Sequence, residues 1–401
     1  MNKPLVVIFT AIGLDAVGIS LIFPILPKLI EDVTQSVNVA PTIGILAALY
    51  AAMQFVFAPV LGALSDRLGR RPVLLISLAG AAVNYAMMAV APSLWLLLLG
   101  RAIAGLTSAN ISVATAYITD ITPEDRRAKR FGLFNAMFGA GFILGPVLGG
   151  ILGDYWVRLP FIAAALLNAG NLLLALFVLP ESRQPSRERI DFTALNPLPP
   201  LQWALSTKAL TPVVLLFFVL SGTGEVYGTC WALWGNDVFG WNGLWIGLSL
   251  GTFGVCQSLA QAFLPGPAVK LLGERGAVLA GLVGACAALV AMAFTTRGWV
   301  VFVIMPIVAL AGVGTPALQS LATRLVADDR QGQFQGVLAS AMSLASVVGP
   351  LIFSTLYFLV RPAWPGAIWL SAVAVNLIAV PLVLGLRFTA ERSIAKPKPL
   401  S

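Results

Sequence analysis

The sequence predicts an all-α membrane protein whose twelve transmembrane helices form two pseudo-symmetric six-helix bundles. Composition, the spacing of apolar runs and an internal repeat each support this fold class. Of the 401 residues, 58% are hydrophobic and 10% are charged, whereas a soluble domain carries about 25% charged residues. Lipid is therefore the expected solvent. The net charge of +8 is interpreted through its distribution across the membrane, and no nucleic-acid partner is expected.

Apolar runs long enough to span a bilayer recur along the whole chain. A bilayer core needs about 20 apolar residues per helix, and the predicted spans are 5–27, 42–64, 72–92, 94–118, 131–153, 159–180, 209–231, 244–264, 276–295, 298–320, 333–357 and 364–386. The predicted domains are an N-terminal bundle over 1–180, a linker over 181–208 and a C-terminal bundle with a tail over 209–401.

The two halves of the chain are related as repeats. An offset of 204 residues maps Gly62 onto Gly266, Gly69 onto Gly273, Arg71 onto Arg275, Arg126 onto Arg330, and Gly145-Pro146 onto Gly349-Pro350. Several separated matches at one offset are not expected from composition alone. Two related bundles with a substrate path between them are therefore predicted.

Lysine and arginine are distributed unequally between the two sides of the predicted membrane. Twenty lie on the side of Asp66 and one, Arg101, lies within a span, while the opposite side has only Lys28, Arg158, Arg297 and Arg361. Because basic loops stay in the cytoplasm, both termini, the linker and the tail are predicted to be cytoplasmic.

Several function classes find no support in the sequence. Cys230, Cys256 and Cys286 lie in apolar runs without metal-ligand spacing, so neither a disulfide framework nor a metal site is expected. No Ser/His/Asp set, metal cluster or phosphate loop is found, and an enzyme is not expected. The first apolar run is long enough to be a span and carries Asp15, so a cleavable signal peptide is not expected either.

Three ionisable residues, Asp15, Arg101 and Glu225, lie inside predicted spans. Each costs about 2.5–3.5 kcal/mol at the centre of a bilayer, so each is expected to face the bundle interior or a water-filled cavity. The structural alternative is a buried ion pair or a side chain that reaches the interface. The functional interpretation is proton coupling, because removal from water favours the protonated form of a carboxylate and a nearby arginine opposes it.

The stretch from Phe57 to Val73 predicts a short basic turn between the second and third spans. Its glycines permit a tight turn, and Asp66 is expected to cap the helix that follows. Ion pairs among acidic and basic residues here and at the end of the fourth span are predicted to lock the two halves when the cavity faces outward. These predicted gate residues are Asp66, Arg70, Arg71, Asp120 and Arg127, with Arg126 beside them. The alternative is a simple charged hairpin.

Small residues recur in the fifth span, at Gly141, Gly145, Pro146 and Gly149. Such spacing lets helices approach closely, and proline bends a helix. On packing grounds alone this is an ordinary helix-packing face.

Polar and aromatic residues within the spans are candidates for the lining of a cavity. Amide and aromatic groups suit a large, partly apolar ligand, although each also suits hydrogen bonding between helices. The candidates for substrate binding are Gln54, Asn84, Asn110, Asn135, Tyr227, Trp231, Gln257 and Gln261, and Trp234 and Gln319 share their character.

The pattern G-x-L-S-D-R-x-G-R-R-P at Gly62–Pro72 closely resembles the signature loop of the major facilitator superfamily. The pattern G-x-x-x-G-P-x-x-G-G from Gly141 resembles the motif of its antiporters. The segments LDAVGISLIFPILP, GRAIAGLT, LGERGAVLAG, TRGWVVF and RQGQFQGVLAS resemble the bacterial tetracycline/proton antiporters more closely still, and this likeness covers almost the whole chain.

This resemblance implies a proton-coupled antiporter of the bacterial inner membrane that exports amphipathic drugs. It places Asp15, Gln54, Asp66, Arg70 and Arg101 on positions implicated in transport. It further implies a monomer without a cofactor, driven by the proton gradient, with a divalent cation only as part of a chelated tetracycline.

Four positions depart from the family pattern. Asn84 and Ala285 replace intramembrane aspartates, Gln257 replaces a histidine, and Glu225 replaces an expected glutamine. The cargo is therefore left open between tetracycline and another amphipathic compound, multidrug or bile-acid-like. An importer of a metabolite, disfavoured by the motif from Gly141, and a non-transporting receptor are the remaining alternatives.

Overall fold

The computed structural model describes residues 3–108, 110–183, 198–207, 210–326 and 330–385. Within these residues the chain is helical. Its helices are α1 (Lys3–Leu21), α2 (Leu26–Thr34), α3 (Ala40–Leu68), α4 (Arg70–Val90), α5 (Leu94–Thr107), α6 (Asn110–Asp120), α7 (Glu124–Tyr155), α8 (Leu159–Val178), α9 (Leu198–Ser206), α10 (Thr211–Phe239), α11 (Gly243–Phe263), α12 (Pro265–Phe294), α13 (Gly298–Leu310), α14 (Gly314–Arg324), α15 (Gln331–Val360) and α16 (Ala367–Gly385).

Twelve spans emerge from these helices, as predicted. In the described part of the chain, eleven spans are long and apolar enough to cross a membrane, and α1 with α2 forms a twelfth that is bent by 55°. The bend falls at Pro24, where the predicted span ran straight on, because a proline supplies no N–H for a continuous helix. The fourth span of each half is also interrupted, at Ser108 between α5 and α6 and at a 3₁₀ turn, Ala311–Val313, between α13 and α14.

Helix packing repeats from one half to the other. In the first half α1 packs on α7 and α8, α4 on α5 and α8, and α3 on α5. In the second half α10 packs on α15 and α16, α12 on α13 and α16, and α11 on α13. These are the same five pairs under the sequence repeat, and the predicted pseudo-symmetric pair of bundles is confirmed.

The two halves meet mainly through α3 on α15 and α7 on α11, and α3 also contacts α10. Because α15 repeats α7 and α11 repeats α3, the two contacts are related by the same pseudo-two-fold relation, as in an isologous dimer. Each half therefore offers the same two helices to the other.

These contacts lie toward one end of the helices, here named the Asp154 end. There Gly44 lies against Pro350 and Ser354, and Gly150 lies against Gly243. At the opposite, Asp66 end such close contacts are not seen at the described glycines, since an added Cβ would meet nothing within 4 Å at Gly62, Gly132, Gly266, Gly332 or Gly336. The structure is thus closed at the Asp154 end and open at the Asp66 end.

The turn between the second and third spans is shorter than the sequence suggested. Helix α3 ends at Leu68 and α4 begins at Arg70, so Gly69 alone, with φ of 100°, makes the turn. Its counterpart Gly273 has φ of 70° and breaks the helical geometry within α12 in the same way. An L-side chain would be strained at either position.

The predicted linker is partly described. Residues 184–197 and 208–209 lie outside the described residues, and α9 packs on α10 and α15 of the second half. The domain boundaries at 180 and 208 stay a prediction.

Candidate functional site

A cavity of about 1020 Å³ lies between the two halves. It is lined by both bundles, and Asp15, Arg101 and Glu225 all lie in its wall. Among the described residues, they are the only acidic or basic side chains that line it. The geometry thus brings the three intramembrane charges to one space, while their role in proton coupling stays a prediction.

The first half contributes a polar wall around Asp15 and Arg101. The guanidinium carbon of Arg101 lies 6.0 Å from the ring centroid of Tyr50, within the range of a cation–π contact. Its Nε is buried and has no hydrogen-bond partner among the described residues. Asp15 is 9% exposed, and the buried Tyr85 lies in the same wall. Arginine and carboxylate thus share one side of the cavity with two phenol groups.

A hydrogen-bonded group holds Gln54 at the break in the fourth span. The Nε2 of Gln54 donates to Ser108 Oγ at 3.0 Å, and the Tyr50 hydroxyl lies 2.9 Å from the same oxygen. Asn84 lines the cavity, with a buried Oδ1 that has no partner among the described atoms. Asn135 also lines it, and the side chain of Asn110 lies outside the described residues.

The second half contributes a carboxylate beside aromatic rings. Ser346 Oγ donates to Glu225 Oε1 at 2.6 Å. The rings of Tyr227 and Phe253 are stacked with centroids 6.1 Å apart, and Trp231 lies 6.0 Å from Tyr227. All of them line the cavity. This wall is therefore acidic and aromatic where the facing wall is mixed in charge.

Two further predicted residues meet the break in the tenth span. The side-chain amides of Gln257 and Gln261 approach Gly312 in the 3₁₀ turn, and both line the cavity. Two of the other candidates point elsewhere, because Gln319 donates to Gln335 at 2.6 Å and Trp234 is fully buried.

Sequence reasoning missed several lining residues. Tyr50 lies one helical turn from Gln54, so helical spacing would have predicted that Tyr50 also lines the cavity. Tyr85 is adjacent to Asn84 in the sequence, and helical spacing gives no such signal for it. Ser346 carries no signal, because only the tertiary packing of α10 on α15 brings it to Glu225.

The predicted gate residues form a cluster around Arg70. Its guanidinium bonds Asp66 at 2.7 Å, Asp120 at 3.2 Å and Ser65 Oγ at 2.6 Å. Arg71 donates to the carbonyl of Leu176 at 2.7 Å. All of these contacts lie within the first half, so the lock between halves stays a prediction for another conformation.

Two of the predicted gate residues behave differently from the rest: Asp66 does not cap α4, and Arg127 lies outside the cluster around Arg70. The cap predicted for Asp66 is wrong, because Glu181 Oε1 accepts the Arg70 backbone N–H at 2.7 Å. Asp66 instead pairs with Arg70 and with Arg183, at 2.7 Å each. Arg127 donates to the Thr122 carbonyl at 3.2 Å and does not contact Arg70.

The small residues of the fifth span use two faces of α7. Gly141, Gly145 and Gly149 lie against the backbone of α1, while Pro146 and Gly150 lie against Gly247 and Gly243 of α11. The motif therefore joins one helix of its own half to one helix of the other half.

Polar contacts close the Asp154 end. Asp154 accepts the backbone N–H groups of Gly243 and Leu244 at 2.9 Å each and pairs with Lys28 at 2.9 Å. Arg361 donates to the carbonyl of Val37 at 3.1 Å and pairs with Asp237 at 2.6 Å. The end of α7 thus binds the start of α11, and the residue after α15 binds the loop before α3.

Comparison with known proteins agrees with this architecture. The sequence profile of the Major Facilitator Superfamily matches residues 8–256 and again 213–401. The chain belongs to the Major Facilitator Superfamily. The two matches of this superfamily member overlap and together reach both repeats.

Two curated relatives cover nearly the whole superfamily member. Tetracycline resistance protein, class C, of Escherichia coli is 47% identical over 380 residues, or 95% of this chain and 96% of the relative. Tetracycline resistance protein, class G, of Vibrio anguillarum is 42% identical over 383 residues, or 96% of this chain and 98% of the relative. The resemblance expected from the sequence is confirmed.

Solved structures of other superfamily members share the fold. The human organic anion transporter MFSD10 (TETRAN) matches with a TM-score of 0.68 and 24% identity, covering 95% of this chain and 99% of its own. The nucleoside transporter NupG matches with a TM-score of 0.81 and 12% identity, covering 96% and 99%. The chain is a multi-pass membrane protein of this fold.

Proposed function

We propose that this protein is a proton-coupled antiporter that exports amphipathic drugs by alternating access. One observation carries the proposal: Asp15, Arg101 and Glu225 line one cavity between two bundles whose close glycine contacts, among the described residues, lie toward the Asp154 end. A carboxylate at membrane depth costs free energy, so one that is retained there is expected to have a function. In an antiporter it exchanges a proton for the drug.

The transport cycle follows from the two ends of the molecule. In the open state a drug enters from the Asp66 end and displaces a proton from a carboxylate of the cavity wall. Rocking of one bundle against the other then separates α7 from α11 and α3 from α15 at the Asp154 end. Release of the drug and protonation from that side return the carrier to its starting state.

Sidedness and location belong to the same proposal. The excess of lysine and arginine on the Asp66 side supports a cytoplasmic Asp66 end with both termini inside. We place the protein in the bacterial inner membrane as a monomer that is not an enzyme. It needs no cofactor besides the proton gradient, and a divalent cation would enter only within a chelated drug.

The cargo class rests on the relatives and on the cavity. Tetracycline-like cargo is supported by relatives named for tetracycline resistance at 36–47% identity. The volume of about 1020 Å³ is at the large end of ligand pockets and suits a polycyclic compound. Asn84, Gln257 and Glu225, which depart from the family pattern, favour a second candidate, a different amphipathic compound.

Proton release from purified protein tests the function. Tetracycline with Mg²⁺ and a panel of amphipathic drugs and bile acids are added to lightly buffered protein in detergent. We expect at least one of them to release protons, and the release to be reduced in Glu225→Gln and Asp15→Asn. Release with tetracycline identifies the cargo class of the relatives, and release only with another compound identifies the second candidate. If no compound releases protons, the antiport proposal is wrong.

A further inference from the structure

The carboxylate of Glu225 has no positive partner in the described part of the chain. Its hydrogen-bond donor is the neutral hydroxyl of Ser346 at 2.6 Å, and no described lysine or arginine lies within 4.0 Å of it. Arg101, the basic residue of the cavity wall, belongs to the polar side around Tyr50. An ionised carboxylate in such a place is costly unless a cation reaches it.

The wall beside Glu225 leaves room for a ligand group. Gly224 and Gly228 line the cavity next to it, and Gly228 lies one helical turn away on the same face. A Cβ added at Gly224 would meet nothing within 4 Å, and one added at Gly228 would meet only the Phe23 ring at 3.6 Å. The carboxylate is therefore not covered by neighbouring side chains of its own helix.

Aromatic rings complete this part of the wall. Tyr227, Trp231 and Phe253 form a connected group, and Phe23 and Phe142 lie 6.0 Å apart among the lining residues of the first half. Aromatic faces attract organic cations, and the attraction grows when water is excluded. A carboxylate with a hydroxyl and several aromatic rings is the composition expected of a site for a substituted ammonium or phosphonium group.

We propose that Glu225, Ser346 and the surrounding aromatic rings form a subsite for the cationic group of the substrate. This subsite makes organic cations with an apolar body the preferred substrate class. The inference rests on the proposed function, which it deepens by assigning the charge of the cargo. Asp15, which shares its side of the cavity with Arg101, has the coupling role instead.

Binding of tetraphenylphosphonium to the purified full-length protein tests the subsite. This ion carries a permanent charge, and triphenylphosphine oxide serves as an uncharged probe of similar shape. We expect Glu225→Gln to weaken phosphonium binding by about tenfold or more while its affinity for the phosphine oxide stays at the wild-type value. Glu225→Asp is expected to retain most of the phosphonium affinity.

The assay separates this inference from the antiport proposal. Equal phosphonium affinity in the wild type and Glu225→Gln, or no binding to either, would overturn the subsite whatever the transport assays show. A loss in Asp15→Asn but not in Glu225→Gln would place the cation on the other wall and also overturn it. Absence of proton release with intact phosphonium binding would instead count against antiport alone.

Discussion

The variant Asp15→Asn is expected to insert normally and to lose proton-driven drug accumulation. Asparagine matches aspartate in shape but cannot exchange a proton, and Asp15 lines the cavity at 9% exposure. A pH difference of one unit supplies about 1.4 kcal/mol per proton, which sustains about a tenfold drug gradient in a one-proton exchange. Inverted membrane vesicles with an imposed pH difference measure this gradient, and the variant should show none.

Two controls make this result specific. Asp125→Asn is the same substitution on an exposed side chain whose pairing is with its neighbour Arg126, and it should accumulate drug as the wild type does. Exchange of labelled for unlabelled drug without a pH difference should persist in Asp15→Asn. An unchanged gradient in the variant would show that Asp15 does not couple the proton.

The variant Gly247→Leu is expected to open the Asp154 end. A Cβ at Gly247 would lie 2.9 Å from the carbonyl carbon of Pro146 and 3.1 Å from the Cα of Val147 on the other half. Overpacking costs about 1–3 kcal/mol, and here it is relieved when the two bundles move apart as rigid bodies. That free energy shifts the population of the two states by about 5- to 150-fold.

Distance measurement between spin labels checks this shift. Asn38 and Ala363 are exposed on opposite halves beside the contact of Arg361 with Val37, and the label distance should increase in Gly247→Leu. The matched control is Gly170→Leu, because a Cβ at Gly170 meets nothing within 4 Å. A label distance that stays short in an inserted Gly247→Leu protein would show that the packing of α7 on α11 does not hold this end closed.

Much of the fold could be read from the sequence because lipid restricts the alternatives. Every backbone polar group in a bilayer must be satisfied within a helix, so apolar runs fix the spans. The cost of an intramembrane charge likewise predicts that Asp15, Arg101 and Glu225 face the bundle interior or a water-filled cavity, and all three line the cavity. Such inferences depend on local composition and need no knowledge of neighbours.

Features set by tertiary contacts could not be predicted in this way. Glu181 caps α4 from more than a hundred residues away, and Ser346 reaches Glu225 over a similar separation. The bend after α1 and the one-residue turn at Gly69 depend on how helices fit together. Even the motif at Gly141–Gly150 showed its two packing partners only once α1 and α11 were in place.

The contact of Asp154 with the start of α11 provides a natural reporter of the transport cycle. The first N–H groups of a helix have no acceptor within the helix, and those of Gly243 and Leu244 are bonded to the Asp154 carboxylate of the other half. When the halves separate there, both amides face water and exchange their hydrogen for deuterium. The exchange rate of these two amides therefore measures how often an unlabelled, unmodified transporter visits the state that is open at the Asp154 end.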